Sequence, residues 1–227
     1  MIRRSTCRPV VLAVTLTAIA GCASHGGGAP SAPAAAPAPE APAAANPKRS
    51  APAFLVAKPN DLAETLSARR QTLVRAGRRV NPDEIGYYMD VQQARLQQVG
   101  GPWLSVIRIG HGVRLSLPGR WSFEVASAEL SPTAQSALSS VATVLADYRL
   151  SLITVHGYTD DSGDAAFNQT LSEQRALAVA RHLVSEGVAA DRIVVVGHGA
   201  ASPLASNASQ DGREENRRVE LQVDPLV

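Results

Sequence analysis

Apolar side chains recur every three or four residues in some stretches of the chain and every second residue in others, and the two rhythms divide it into elements. Asn60-Asp61 can cap a helix carrying Leu62, Leu66 and Leu73 on one face as far as Arg75. Gly77 interrupts it. Asn81-Pro82-Asp83-Glu84 then supplies a cap, a proline for the first turn and acids for the positive dipole end. The helix it predicts carries Ile85, Tyr88, Met89, Leu96 and Val99 until Gly100-Gly101. Residues 103–109 and 113–117 read as two strands around Gly110-His111-Gly112. Phe123 and Val125 alternate in a further short strand. Ser131-Pro132 opens a helix that turns Leu138, Val141, Val144 and Leu145 inward. Residues 150–156 are a strand and 157–167 a polar loop. Asn168 starts a second helix, which runs to about Glu186 and is ended by Gly187. Residues 193–196 are a strand, 197–215 a Gly/Ser/Asn-rich connection and 218–223 a last strand. Strand-helix-strand-helix-strand order predicts an α+β fold, a βαβαβ two-layer sandwich with two helices on one sheet.

Composition separates this folded part from what precedes it. Residues 23–53 are low-complexity, with Gly26-Gly27-Gly28 and then alanine interspersed with seven prolines from Pro30 to Pro52. Such a stretch has too little bulky apolar surface to fold and is expected to be a disordered spacer. At about 3.1 Å per residue, roughly 30 residues reach ~90 Å at most. Before it stand a basic start (Arg3, Arg4, Arg8), an apolar run over residues 10–20 and small residues, the three parts of a secretory leader. The apolar run is shorter than the ~20 residues a membrane-spanning helix needs. Ile19-Ala20-Gly21-Cys22 resembles the lipobox of bacterial lipoproteins. That resemblance implies diacylation of Cys22, cleavage before it and, with Ala23 following, an outer-membrane address facing the periplasm. Two or three acyl chains anchor stably where one is marginal. The expected divisions are a leader (1–21), a lipidated spacer (22–53), a helical preface with short strands (54–112) and a C-terminal domain (113–227).

Three segments of the C-terminal domain carry a family likeness: His156-Gly157-Tyr158-Thr159-Asp160; Asn168-Gln169-Thr170-Leu171-Ser172-Glu173-Gln174-Arg175-Ala176; and Gly212-Arg213-Glu214-Glu215-Asn216-Arg217-Arg218-Val219. Together they closely resemble the OmpA-like domain of OmpA, Pal and flagellar stators. The likeness implies peptidoglycan as partner and non-catalytic binding, with Asp160 and Arg175 holding diaminopimelate in the stem peptide. The chemistry agrees. Diaminopimelate offers a carboxylate and an ammonium on one short side chain, so its site needs an anion and a cation held a few ångströms apart. Asp160 sits where a strand opens into a loop. At about 100° per residue, Asn168, Leu171, Arg175 and His182 share a flank beside the buried stripe of Ala176, Val179, Ala180 and Leu183. Arg175 therefore projects at the edge of the core, able to reach the loop, and a guanidinium can grip a carboxylate with two parallel bonds. A plain Asp160–Arg175 ion pair is the structural alternative. Thr159 can hold the loop or meet ligand through its backbone, and Asn168 can cap the helix or touch ligand. Arg217 and Arg218 alternate across a strand, and Arg217 is the one assigned to the site. One departure stands out: an Asp or Asn often follows the Phe-x-Phe pattern of the family's first strand, where this chain has Ala126.

Other chemistry is excluded by spacing. Asp160, Ser162 and Asp164 begin like a calcium loop, but the sixth and twelfth positions, Ala165 and Leu171, lack the required Gly and Glu. His156, His182 and His198 follow no metal-ligand pattern, and the only cysteines are Cys7 and Cys22. No G-x-S-x-G elbow or phosphate loop occurs. A formal charge of +2 without a basic stripe gives no footing to nucleic acid. No metal, cofactor or enzymatic activity is therefore expected. The rival reading is an adaptor, with the OmpA-like fold as scaffold and the helical preface binding another envelope protein.

Overall fold

Strands with alternating burial towards one edge and central strands buried on both faces assemble a six-stranded mixed sheet in a computed structural model that describes residues 54–124 and 127–227. The leader, Cys22 and the Ala/Pro stretch lie outside the described residues, as do Val125 and Ala126. In chain order the strands are β1 (Leu55–Ala57), β2 (Ser105–Ile109), β3 (Gly112–Pro118), β4 (Ser151–Tyr158), β5 (Ile193–Gly197) and β6 (Arg218–Pro225). The sheet order is β1-β5-β4-β6-β3-β2, with β1, β5 and β4 parallel and the remaining pairs antiparallel. The helices are α1 (Leu62–Arg75), α2 (Ile85–Gly100), α3 (Gly119–Ser122), α4 (Pro132–Asp147), α5 (Ala165–Ser185) and α6 (Gln210–Asn216).

One sheet face carries Val113, Leu115, Ile153, Val155, Ile193, Val195, Val219, Leu221 and Val223, all buried against α2, α4 and α5. Met89 and Leu96 of α2 enter this core beside Leu138 and Leu145 of α4 and Val179 and Leu183 of α5. The second face is not bare. Leu73 of α1 covers Leu152, Val194 and Leu226 at one end of it, with Leu62, Leu66 and Val74 around the edge. Residues 54–112 and 113–227 thus contribute strands to the same sheet and side chains to the same core.

Local signals explain the helix ends. The Ser131 hydroxyl accepts the Ala134 amide (3.1 Å) with Pro132 at the first turn of α4. At the far end of α5, the amides of Gly187 and Val188 return to the carbonyls of Val184 and Leu183. Gly187 takes φ +98° there, a conformation that glycine adopts without a Cβ penalty.

Three expectations are corrected, and one strand was not foreseen. Phe123 belongs to no strand: α3 occupies the approach to it, and it makes a single bridge to Leu130. Helix α5 starts at Ala165, three residues before Asn168, because the Asp164 carboxylate accepts the amides of Ala166 and Phe167 at 2.9 and 3.0 Å. The connection after β5 contains α6, capped by Ser209 on the Gly212 amide (3.0 Å). Strand β1 escapes the periodicity altogether.

A charged cavity at the end of the central strands

Helix α5 crosses very close to the C-terminal ends of β4 and β5. A Cβ on Gly157 would run into the Ser172 carbonyl, and one on Gly197 would stand 2.6 Å from the Glu173 amide nitrogen. Only glycine lets the helix lie this near, and the closeness brings Asn168, Leu171 and Arg175 over the loop that follows β4. Among these elements opens a cavity of about 500 Å³, lined by Phe123, Thr159, Asp160, Asn168, Leu171, Arg175 and Arg217, with Arg120 and Glu214 among its other lining residues.

Asp160 is buried at 7% exposure, and its Oδ1 accepts the Ser162 amide (2.9 Å) while its Oδ2 pairs with Arg217 Nη1. Burial pushes this carboxyl up, but the hydrogen bonds from Arg217 and Ser162 and the Arg217 charge outweigh it. The net effect holds Asp160 below the ordinary carboxylate value. Arg175, also buried, gives its Nε to the Ser127 carbonyl (2.9 Å), and its guanidinium lies 5.1 Å over the Phe123 ring. Burial and then the nearby Arg217 charge lower its pKa. The structural alternative of a plain Asp160–Arg175 ion pair is therefore not what the fold forms. Both line the cavity, but the carboxylate's partner is Arg217, and Arg175 is tethered to the connection before α4.

The remaining candidates divide by role. Asn168 lies inside α5, where its Nδ2 donates to the carbonyls of Asp160 (3.3 Å) and Ser162 (2.9 Å) and fixes the loop. Thr159 donates its amide to Gly199 (2.8 Å), while its buried hydroxyl has no partner among the described residues. Arg217 faces the cavity. Arg218, one residue on, turns to the opposite sheet face, bonding Glu220 (2.7 Å) and lying 3.8 Å over the Tyr158 ring. Sequence reasoning missed Asn216, whose fully buried amide bonds the backbone at Leu204 and Ala205 and the Asn207 side chain. It also missed Arg120, which pairs with Glu214 (3.2 Å) at the cavity.

On the face away from the core, the rings of His156 and His198 share a hydrogen bond, Nδ1 to Nε2, at 3.0 Å, and stack with Tyr158. Among the described residues no three His, Cys, Asp or Glu side chains gather as metal ligands. Burial, followed by the nearby His198, Arg114 and Arg218, pushes His156 down to about 3, and burial also lowers His198. Unfolded histidine titrates near 6.5. Between these values the unfolded chain binds more protons, so stability is complete above pH 6.5 and declines as pH falls towards 3. His156 alone is expected to cost up to about 2 kcal/mol between pH 6.5 and 5, at ~1.4 kcal/mol per pH unit. Urea titrations at pH 7, 6 and 5 should show this slope flattened in His156→Asn; an unaltered slope would remove the histidine pair from the account.

These features define an α+β sandwich with a charge-lined cavity at the ends of its central strands. Residues 122–217 of the chain match the family described as the OmpA family. The probable lipoprotein YiaD of Escherichia coli (strain K12) is 43% identical over 143 residues, 63% of this chain and 65% of that protein. The peptidoglycan-binding protein ArfA of Mycobacterium tuberculosis is 45% identical over 97 residues, 43% of this chain. The match spans 30% of ArfA, so both relatives extend well beyond the shared part. Among solved structures, the cell wall anchor of the T6SS from Pseudomonas aeruginosa superimposes with a TM-score of 0.53 at 28% identity, covering 59% of this chain and 96% of that one. No helix among the described residues is long and apolar enough to cross a membrane.

Proposed function

We propose that this chain is a non-catalytic anchor of the cell envelope, whose cavity holds peptidoglycan by the diaminopimelate of its stem peptide. Lipid on Cys22, after removal of residues 1–21, would fix the chain to the outer membrane, and residues 22–53 would span the gap to the domain in the periplasm. The observation that carries the reading is the charge pattern of the cavity. Asp160 lies between the reach of two guanidiniums, and the whole lining sets Arg120, Arg175 and Arg217 against Glu124, Asp160 and Glu214. A balanced lining suits a zwitterion better than it suits a simple anion.

Asp160 would accept the ligand's ammonium, while Arg217 and the Nη groups of Arg175 take its carboxylate. Thr159 offers its free hydroxyl, and Asn168 keeps the loop in place. The similarity to a peptidoglycan-binding protein and to a cell wall anchor supports the same partner. The test is co-sedimentation of the full chain, in mild detergent, with sacculi bearing diaminopimelate-type or lysine-type stems. Lysine lacks the second carboxylate, and losing a charged hydrogen bond of ~1.5–3 kcal/mol should weaken pelleting at least about tenfold. Equal pelleting on both wall types would overturn the diaminopimelate reading. Pelleting on neither would overturn the anchor.

A further inference from the structure

Trp103 and Trp121 are the chain's only tryptophans, and the fold brings them together. Their rings meet edge to face with centroids 5.0 Å apart and remain 42% and 44% exposed. They come from separate elements: Trp103 ends the turn Gly101–Trp103 after α2, and Trp121 lies in α3, where Ser131 Oγ bonds its carbonyl. A lone exposed apolar residue needs no explanation, but two adjoining indoles held out of the core do. Trp103 also walls a groove of about 530 Å³ between the end of α2 and the start of α4, with Thr133, Ser136 and Ser140 among its lining. An aromatic wall facing hydroxyl groups is the result. This surface is continuous with the charged cavity through Arg120, which lines the cavity while its guanidinium lies 5.3 Å over the Trp121 ring.

We infer that the Trp121–Trp103 pair and its groove form a sugar subsite, which takes an N-acetylated amino sugar of the glycan strand that bears the stem peptide. The inference rests on the stem reading above and extends it. A pyranose ring has a C–H face that packs on an indole and a rim of hydroxyl and amide groups that suits Thr133, Ser136 and Ser140. Aromatic residues with one apolar body and one polar handle serve such half-wet surfaces well. Diaminopimelate is the third residue of the stem, so the sugar lies ~10 Å along the chain from it, at ~3.3 Å per extended residue. Arg120 bridges the cavity to the first indole, and the second ring stands 5.0 Å beyond.

Because both indoles sit in this patch, tryptophan emission of the full chain reports on it without background. The probes are a diaminopimelate-type disaccharide-tetrapeptide and the same tetrapeptide without sugars, with affinities measured by calorimetry. The sugar-bearing probe is expected to shift the emission and to bind about tenfold more tightly. Trp103→Ala, at a residue outside the lining of the charged cavity, should reduce its affinity to that of the bare peptide and leave the bare peptide unaffected. Trp121→Phe should retain part of the advantage. Equal affinities with unchanged emission would overturn the sugar subsite while sparing the stem site, and so would a Trp103→Ala variant that weakens both probes alike. Binding of neither probe would overturn the stem reading and this inference with it.

Discussion

Asp160→Ala is expected to reduce binding of the full chain to diaminopimelate-type sacculi by about thirtyfold to several thousandfold, while the variant still folds. The range follows from truncating one member of a buried, hydrogen-bonded charge pair at a ligand interface, which costs about 2–5 kcal/mol. Two effects add: the ligand's ammonium loses its counter-charge, and Arg217 loses the carboxylate that orients it. Stability should suffer much less, because the Arg217 side chain, 33% exposed, can turn to water when its partner goes. Asp160→Asn separates charge from shape. It retains an acceptor for the Ser162 amide and removes only the anion, so it should bind nearly as poorly as the alanine variant. Arg175→Lys completes the series. A lysine ammonium keeps the positive charge but loses the planar fork, and it should cost about tenfold if the fork takes a carboxylate with two bonds. Co-sedimentation at several salt concentrations, with melting temperatures beside it, measures all three. An Asp160→Ala variant that melts normally and pellets like the parent would remove the carboxylate from the site.

Arg192→Met is expected to be the most damaging change to the fold itself. This arginine is 1% exposed, and it donates Nε to Ser151, Nη1 to Leu145 and Nη2 to Tyr148, each at 2.7 Å. The Leu145 and Tyr148 carbonyls belong to the C-terminal end of α4, where oxygens lack helical partners and the dipole is negative. One guanidinium thus closes a helix and ties it to the start of β4. Burial pushes its pKa down to about 10, which leaves it charged at neutral pH. Methionine fills similar space but orphans three carbonyls at ~1–3 kcal/mol each, partly offset because no charge is buried. The net loss should be about 3–5 kcal/mol, roughly 10 °C in melting temperature for a domain of this size. Urea denaturation of the parent and variant measures it. A loss under 1 kcal/mol would mean that water replaces the guanidinium.

The sequence revealed whatever rests on short-range pattern. The β2–β3 hairpin announced itself by alternation around Gly110-His111-Gly112, and α4 by Ser131-Pro132 ahead of a regular apolar stripe. Ambiguity arose where neighbours competed. Asp160, Asp161, Ser162, Asp164 and Asn168 can all cap a helix, and tertiary geometry chose Asp164. The three residues of β1 carry too little pattern to register, since their pairing with β5 depends on a strand far along the chain. For the cavity, the helical wheel placed Arg175 on the correct flank of α5. It could not say which backbone its long side chain would meet, and the Ser127 carbonyl comes from a connection with no periodicity. Arg192 and Asn216 gave no warning, because a buried polar residue differs from a surface one only through the partners that folding supplies.

The placement of β1 governs how the domain would carry load. Leu55 pairs beside Val194 near the start of β5, whereas the cavity opens beyond Tyr158, where the neighbouring parallel strand β4 ends. A chain pulled from its N-terminus while something grips the cavity would strain β1 lengthwise against β5. Its hydrogen bonds would be sheared together and not unzipped one by one. Rupture under tension is set by the unfolding rate and not by equilibrium stability, so three residues at a sheet edge can decide how long the grip lasts.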